Sequence, residues 1–442
     1  MQNFRVFRSR LELGESRLQL AIDAHKRALQ EPGIFTSVLP ANEIEKAVTK
    51  VEEKLAQGDT LPLAGLPFCV KDNLHVEGMR TTSNCPSFGD YASSTAPAVK
   101  KAIDAGAVLI GKNTMDQFAT GLNGTRSPDP LCPNAIDPAY IPGGSSSGSA
   151  VAVALDICAF ALGSDTGGSG RVPAAANGIV GFKPTPGAIS GRGMIYCNRS
   201  FDVIPIFTKT VSDAELIYSI VGGIDPCDPF AFKGLIADKP DKLNHCFAVP
   251  DTTHHFGDVQ ARQTHEKNLL ALEKAGANFK TIDFKPFEEM GQLVFGSALV
   301  AERLVDYGDF LFDNPENVLT PVATAINQGH QYSARNAFEI LHKLAELRVE
   351  CMAKLEGTEG LIVPTIPRMF TITQMLEEPM ERNTIMGTYT YFANPIGLTA
   401  IAIPGATRND GLKSSILIYA APGSDFVVLQ QAKWAEIAFR NT

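Results

Sequence analysis

Two stretches near the N-terminus repeat apolar positions with the period of a helix. Residues 16–30 and 42–57 read as amphipathic helices, the first ending before Pro32 and the second at Gly58, where proline and glycine interrupt a helical pattern. Short apolar runs then alternate with helical ones. Runs 67–71, 107–111, 157–163, 245–249, 361–364, 399–403 and 415–420 are strand candidates. Strands interleaved with helices predict an α/β layered fold with the sheet inside. Ser212-Asp213-Ala214-Glu215 reads as a capping box; Leu216, Ile217, Ile220 and Val221 follow at helical spacing before Gly222-Gly223. The sequence holds no internal repeat and no low-complexity tail. Residues 225–243, rich in Asp and Pro, are the best candidate seam, yet no stretch has the composition of a linker. One domain over 1–442 is expected, with N-terminal helices to about residue 60, a Gly/Ser-rich core over about 61–225 and a further α/β portion over about 226–442.

Composition narrows the class. The chain is 44% hydrophobic and 20% charged, ordinary for a globular protein that buries a large core. Its net charge of −9 speaks against a nucleic-acid surface, which needs clustered Lys and Arg. A small anion is still compatible, because one local arginine outweighs a diffuse acidic balance. The eight cysteines form no C-x-x-C pair and several sit in apolar stretches, the pattern of reduced core thiols. No signal-peptide pattern opens the chain, and no apolar run reaches the roughly 18 residues of a membrane span. A cytoplasmic protein is expected.

The centre of the chain is unusual. Between Pro142 and Pro173 there are seven glycines and six serines, split by an Ala/Val run. A flexible linker would not contain a core segment, so two tight loops framing a buried helix and strand are expected. Three short matches there are weak. Gly144-Ser145-Ser146-Ser147-Gly148 fits a nucleophile elbow centred on Ser146, but the turn-rich residues before it are no core strand. Asp165-Thr166-Gly167 has no second copy to supply an aspartic-protease partner. Neither loop carries a phosphate-binding ending.

A broader pattern covers more of the chain. Gly65 to Asn73, Pro142 to Ser149 and Gly163 to Arg171 together resemble the amidase signature family, with 74 residues from Lys71 to Ser145 and 24 from Ser145 to Ser169. The resemblance implies a mixed, twisted β-sheet covered by α-helices. It also implies Lys71 as catalytic lysine, Ser145 as bridging serine after a cis peptide, and Ser169 as nucleophile. Thr166, Gly167 and Gly168 would offer backbone N–H groups to a developing oxyanion. The residue types suit the chemistry. A serine hydroxyl needs a base, none of the eight histidines lies in these motifs, and a lysine serves if burial keeps it neutral. Leu66, Pro67, Phe68 and Val70 would supply that burial. The plainer alternative is a surface Lys71 paired with Asp72.

Asp116 to Gly121, Gly124 to Pro128, Ser169-Gly170-Arg171, Val363 to Thr365, Gly387 to Thr390 and Phe392 to Asn394 carry a narrower resemblance, to the allophanate hydrolase branch of the family. Other branches usually carry a bulky aliphatic residue at the Gly170 position. By this likeness Arg303 would hold the substrate carboxylate, with Gly121 and position 295 also in contact; the alternative is a helix-surface arginine paired with Glu302 or Asp306. The branch has a tyrosine at position 295, where this chain has Phe295. The resemblance implies a small-molecule amide substrate and no cofactor or metal. It allows for a homodimer, and for a separate partner in place of the C-terminal domain of full-length relatives. The same motifs are similar to those of amidases for other carboxylated amides such as malonamate, and of glutaminase subunits of tRNA-dependent amidotransferases.

Overall fold

The computed structural model describes residues 4–440. Its strands are β1 (Phe35–Val38), β2 (Pro67–Lys71), β3 (Val108–Asn113), β4 (Phe160–Leu162), β5 (Val180–Lys183), β6 (Ile206–Thr208), β7 (Cys246–Pro250), β8 (Asn278–Ile282), β9 (Gly360–Pro364), β10 (Thr399–Thr407) and β11 (Lys413–Ala420). They form one sheet in the order β1-β3-β2-β4-β6-β5-β10-β11-β9-β7-β8. β2 runs parallel to β3 and β4, and β7 runs parallel to β8 and β9. The other neighbours are antiparallel, so the sheet is mixed, as expected.

The sheet also shows that residues 225–243 are not a seam. β5 lies before that segment and β10 after it, and the two pair directly. The segment itself has no strand or helix and is tied to the body. Gly191 N–H donates to Asp228 Oδ2 at 2.7 Å, and Ala237 N–H to the Gly423 carbonyl at 2.8 Å.

Side chains alternate across the pleat with a period of two. Phe68, Val70, Phe160, Leu162, Ile401, Ile403, Ile416 and Ile418 pack on one face. Cys69 and Ala161 join Ala150 to Val153 on the other face, as do Ala400, Ala402, Leu417 and Tyr419 further along the sheet. Lys71 shares the parity of Cys69, so the pleat turns it toward the helix Ser147–Ala154. That helix is buried from Ser147 to Val153. Its small and apolar side chains on every side are what a central helix requires.

The N-terminal helices occupy Arg17–Gln30 and Ala41–Ala56, close to the expected spans. Two boundaries are corrected. The helix Val211–Val221 is capped by Thr210, whose side chain accepts from Asp213 N–H; Thr210 offers the same cap spacing two residues before Ser212. The strand expected over 157–163 shrinks to Phe160–Leu162. Ile157 and Cys158 N–H instead close the preceding helix on the Ala152 carbonyl at 2.9 and 3.1 Å. All eight cysteines are unpaired, and six are buried, with Cys227 exposed. Among the described residues no helix is long and apolar enough to cross a membrane.

Candidate active site

The parallel trio β3-β2-β4 ends where the Gly/Ser loops begin, and carboxyl ends of parallel strands are where open α/β sheets hold ligands. Lys71 closes β2 opposite Asn113 at the end of β3. The segment Gly163 to Arg171 leaves β4. The loop Gly143–Ser146 enters the helix Ser147–Ala154 beside them, and the Gly144–Ser145 peptide is cis.

Lys71 is fully buried. Its Nζ lies 2.7 Å from Ser145 Oγ, 2.8 Å from Ser164 Oγ and 3.3 Å from the Ser164 carbonyl. Asn73 Nδ2 donates to Ser164 Oγ at 3.0 Å. Burial lowers the lysine pKa to about 8, opposed by the charges of Asp202 and Asp116. The alternative pairing with Asp72 does not occur: Asp72 faces Lys112 at 2.9 Å. Ser146, the rival nucleophile, is also buried, and its hydroxyl donates to the Ser164 carbonyl at 3.0 Å.

The loop bearing Ser169 is fixed by one ion pair. Asp165 accepts from Gly168 N–H and Gly170 N–H, each at 2.8 Å. It also receives Arg171 Nε at 2.9 Å and Nη2 at 2.8 Å. The remaining arginine hydrogens reach the Thr390 carbonyl, Tyr419 Oη and Asn394 Oδ1 at 2.9–3.0 Å. Removing one partner of such a pair leaves an uncompensated buried charge and costs about 3–5 kcal/mol. Asp165→Ala is therefore expected to lower the thermal midpoint clearly and to abolish turnover with it. An unchanged melting curve would show that the pair is not what holds the loop.

The oxyanion expectation needs one correction. Gly168 N–H is committed to Asp165, so it has no hydrogen to spare for a ligand. Among the described residues the N–H groups of Thr166, Gly167 and Ser169 make no hydrogen bond. Gly168 instead matters for space: it has φ +135°, and a Cβ there would meet Thr390 Oγ1 at 2.4 Å. A Cβ on Gly170 would meet Pro205 Cβ at 2.4 Å, which explains why this loop cannot take a bulky aliphatic residue at that position.

Ser169 is buried in the wall of a cavity of about 370 Å³, shared with Thr166, Gly167, Gly121, Arg126, Phe295 and Arg303. Among the described residues its hydroxyl makes no hydrogen bond, so Lys71 and Ser145 are joined while Ser169 faces the cavity. Arg303 is buried too. Its guanidinium stands 4.8 Å over the Phe295 ring, and Nε donates to Asn198 Oδ1 at 3.4 Å. It has no carboxylate partner among the described residues. Glu302 turns away to Ser200 N–H and hydroxyl at 3.0 and 2.9 Å. The surface-arginine alternative is thus excluded. Gly121 is needed where it stands, since a Cβ would meet Asp116 Oδ2 at 2.5 Å.

Residues 20–429 match the Amidase family. The chain belongs to the amidase family. It is 37% identical over 378 residues to urea amidolyase of Saccharomyces cerevisiae, covering 85% of this chain and 21% of that one. It is 30% identical to a glutamyl-tRNA(Gln) amidotransferase subunit of Caldanaerobacter subterraneus, covering 93% of this chain and 90% of that one. In structure it is similar to Kluyveromyces lactis allophanate hydrolase, with a TM-score of 0.93 at 32% identity, covering 99% of this chain and 73% of that one. The amidase spans about a fifth of the length of the urea amidolyases it matches.

Several residues of the amidase site carry no signal of their own in the sequence. Ser164 is the second partner of Lys71, and Asn73 supports it. Asp202 accepts the Thr166 hydroxyl, Cys197 N–H at 2.6 Å and Asn198 N–H at 3.2 Å. Burial raises this carboxyl to about 7 against those three donors. Asp116 holds the backbone of Asn123, Gly124 and Arg126 at 2.9–3.2 Å, while its own N–H donates to the Ser145 carbonyl at 3.0 Å. Asn73, Ser164 and Asp116 lie within the quoted motifs, which could have suggested them, whereas Asp202 lies in none.

Proposed function

We propose that this amidase hydrolyses a small carboxylated amide, allophanate first, through an acyl-enzyme on Ser169. The observation that carries the reading is a single cavity bordered by Ser169 and by the buried Arg303 guanidinium, which has no carboxylate partner among the described residues, with the buried Lys71–Ser145 contact behind it. A neutral lysine has two hydrogens and one lone pair. The Ser164 carbonyl and hydroxyl take the hydrogens, which leaves the lone pair for Ser145 O–H. Lys71 then deprotonates Ser145, and Ser145 takes the proton of Ser169 as Oγ attacks the terminal amide carbonyl. The N–H groups of Thr166 and Gly167, with that of Ser169, receive the oxyanion. The relay returns the proton to the departing ammonia. Water cleaves the acyl-enzyme, and the N-carboxycarbamate released loses carbon dioxide.

Arg303 is the selective element, because a guanidinium meets a carboxylate with two parallel hydrogen bonds. Arg303→Ala is expected to lower kcat/KM for allophanate by about 2–5 kcal/mol, the loss of one partner of a buried charge pair. A neutral amide should lose far less, and Arg303→Lys should restore only part. Equal losses on charged and neutral amides would make Arg303 structural and remove the main support for allophanate.

The amidotransferase relatives favour a second reading, a glutaminase that works in a complex and passes ammonia to a partner. Over most of the chain the identity is 37% to urea amidolyase against 30% to the Caldanaerobacter amidotransferase subunit, and the TM-score is 0.93 for the allophanate hydrolase against 0.71 for a Thermotoga maritima amidotransferase subunit, which ranks this reading second. The unpaired thiols fit a reducing compartment, and a cytoplasmic location belongs to the proposal. So does a further domain or separate protein that receives the product, since the urea amidolyases carry the matched stretch within much longer chains.

A further inference from the structure

Phe295 offers no hydroxyl to the wall that faces Arg303, and a second aromatic residue stands against its ring. Phe295 and Tyr391 meet edge to face, with ring centroids 4.6 Å apart at 80°. Both line the cavity that holds Ser169 and Arg303. The Tyr391 ring is held tightly. A Cβ on Gly387 would meet Tyr391 Cζ at 2.0 Å, and one on Gly167 would meet Tyr391 Cδ1 at 2.8 Å and Phe295 Cε2 at 2.9 Å. Tyr391 is thus wedged between the nucleophile loop and Gly387, with little freedom to leave the site.

Its hydroxyl is free to change partner. Oη donates to the Asn383 carbonyl at 3.2 Å and receives Asn383 Nδ2 at 3.4 Å. Both contacts are long for bonds involving a hydroxyl. Burial raises the pKa of the phenol, and the charges of Arg126 and Arg303 oppose that rise, so the hydroxyl lies within the field of both guanidiniums and stays protonated as a donor. Arg303 Nε is engaged by Asn198, which leaves a bound carboxylate with lone pairs that the arginine alone does not fill.

We propose that Tyr391 sets specificity for the carboxylated substrate, its hydroxyl supplying the carboxylate contact that Phe295 cannot make. The inference rests on the reading of Arg303 as the carboxylate anchor. On binding, the phenol exchanges a long bond to a neutral carbonyl for one to a charged carboxylate, about twice as strong.

The test compares kcat/KM within two matched pairs, allophanate against biuret and malonamate against malonamide. Each pair differs by a carboxylate replaced with a neutral amide. Tyr391→Phe should lower the charged-to-neutral ratio about tenfold or more, as for the loss of one hydrogen bond to a charged group, with an unchanged thermal midpoint. Adding Phe295→Tyr to that variant should recover most of the ratio. A ratio that Tyr391→Phe leaves intact, or a ratio that Phe295→Tyr fails to recover, would overturn the proposal. A wild-type protein that favours malonamate over allophanate, with its ratio still lost in Tyr391→Phe, would refute allophanate as the substrate and support Tyr391. Indifference of the wild-type protein to the carboxylate in both pairs would overturn both readings.

Discussion

Replacing Ser169 with alanine is expected to lower amide hydrolysis on the order of a millionfold, the usual scale for removing a serine nucleophile, with no loss of folded protein. The fold should survive because the Ser169 hydroxyl makes no hydrogen bond among the described residues, so its removal leaves no buried partner unpaired. Asp165 and Arg171 hold the loop through backbone N–H groups that the substitution keeps. Intact mass spectrometry after rapid quenching should show an acyl adduct on the wild-type chain and none on the variant. Ser146 is not a substitute nucleophile, being buried and bonded to the Ser164 carbonyl. Retention of more than a few per cent of activity would place the nucleophile elsewhere.

Lys71→Ala should cost roughly a hundredfold to ten-thousandfold in kcat, the range for loss of a positioned base. The wild-type pH profile carries the finer information. A pKa lowered from 10.5 to about 8 corresponds to about 3 kcal/mol in favour of the neutral amine. The sign follows from the relay: only the neutral amine accepts a proton. kcat/KM should therefore be near its plateau above the lysine pKa of about 8 and fall about tenfold per pH unit below it. Asp202, raised to about 7, is the charge that most favours the protonated lysine, so the acid limb belongs to the pair and not to Lys71 alone. A flat profile through this range would mean that Lys71 stays charged and only orients Ser145.

What the sequence revealed follows from how local each feature is. β2, β3, β7, β9, β10 and β11 each coincide with one of the apolar runs of four to six residues and are legible near their bounds, with β10 running four residues further. β1, β5, β6 and β8 are not. They are three to five residues long, and β1 and β8 carry polar, partly exposed positions, so no apolar run announces them. The lysine and the two serines stand out because contiguous motifs surround each. The pairing of Ser164 with Lys71, the role of Asp202 and the Tyr391–Phe295 contact do not, because they arise where β2, the segment after β4, the segment after Tyr196, the helix Lys285–Gly296 and the residues after Gly387 meet in space. Gly168 was misassigned for the same reason: whether an N–H is free depends on Asp165 folding back over its own loop. Burial of Arg303 could not be read from its sequence neighbours Glu302 and Asp306, which suggested a surface helix.

Ammonia release by the purified chain, measured side by side on allophanate, malonamate and glutamine, tests the central claim most directly. The account predicts turnover of allophanate without any added protein, with the largest kcat/KM of the three and no detectable release from glutamine. Release from glutamine, with allophanate untouched, would contradict it and make the chain the glutaminase of a larger complex.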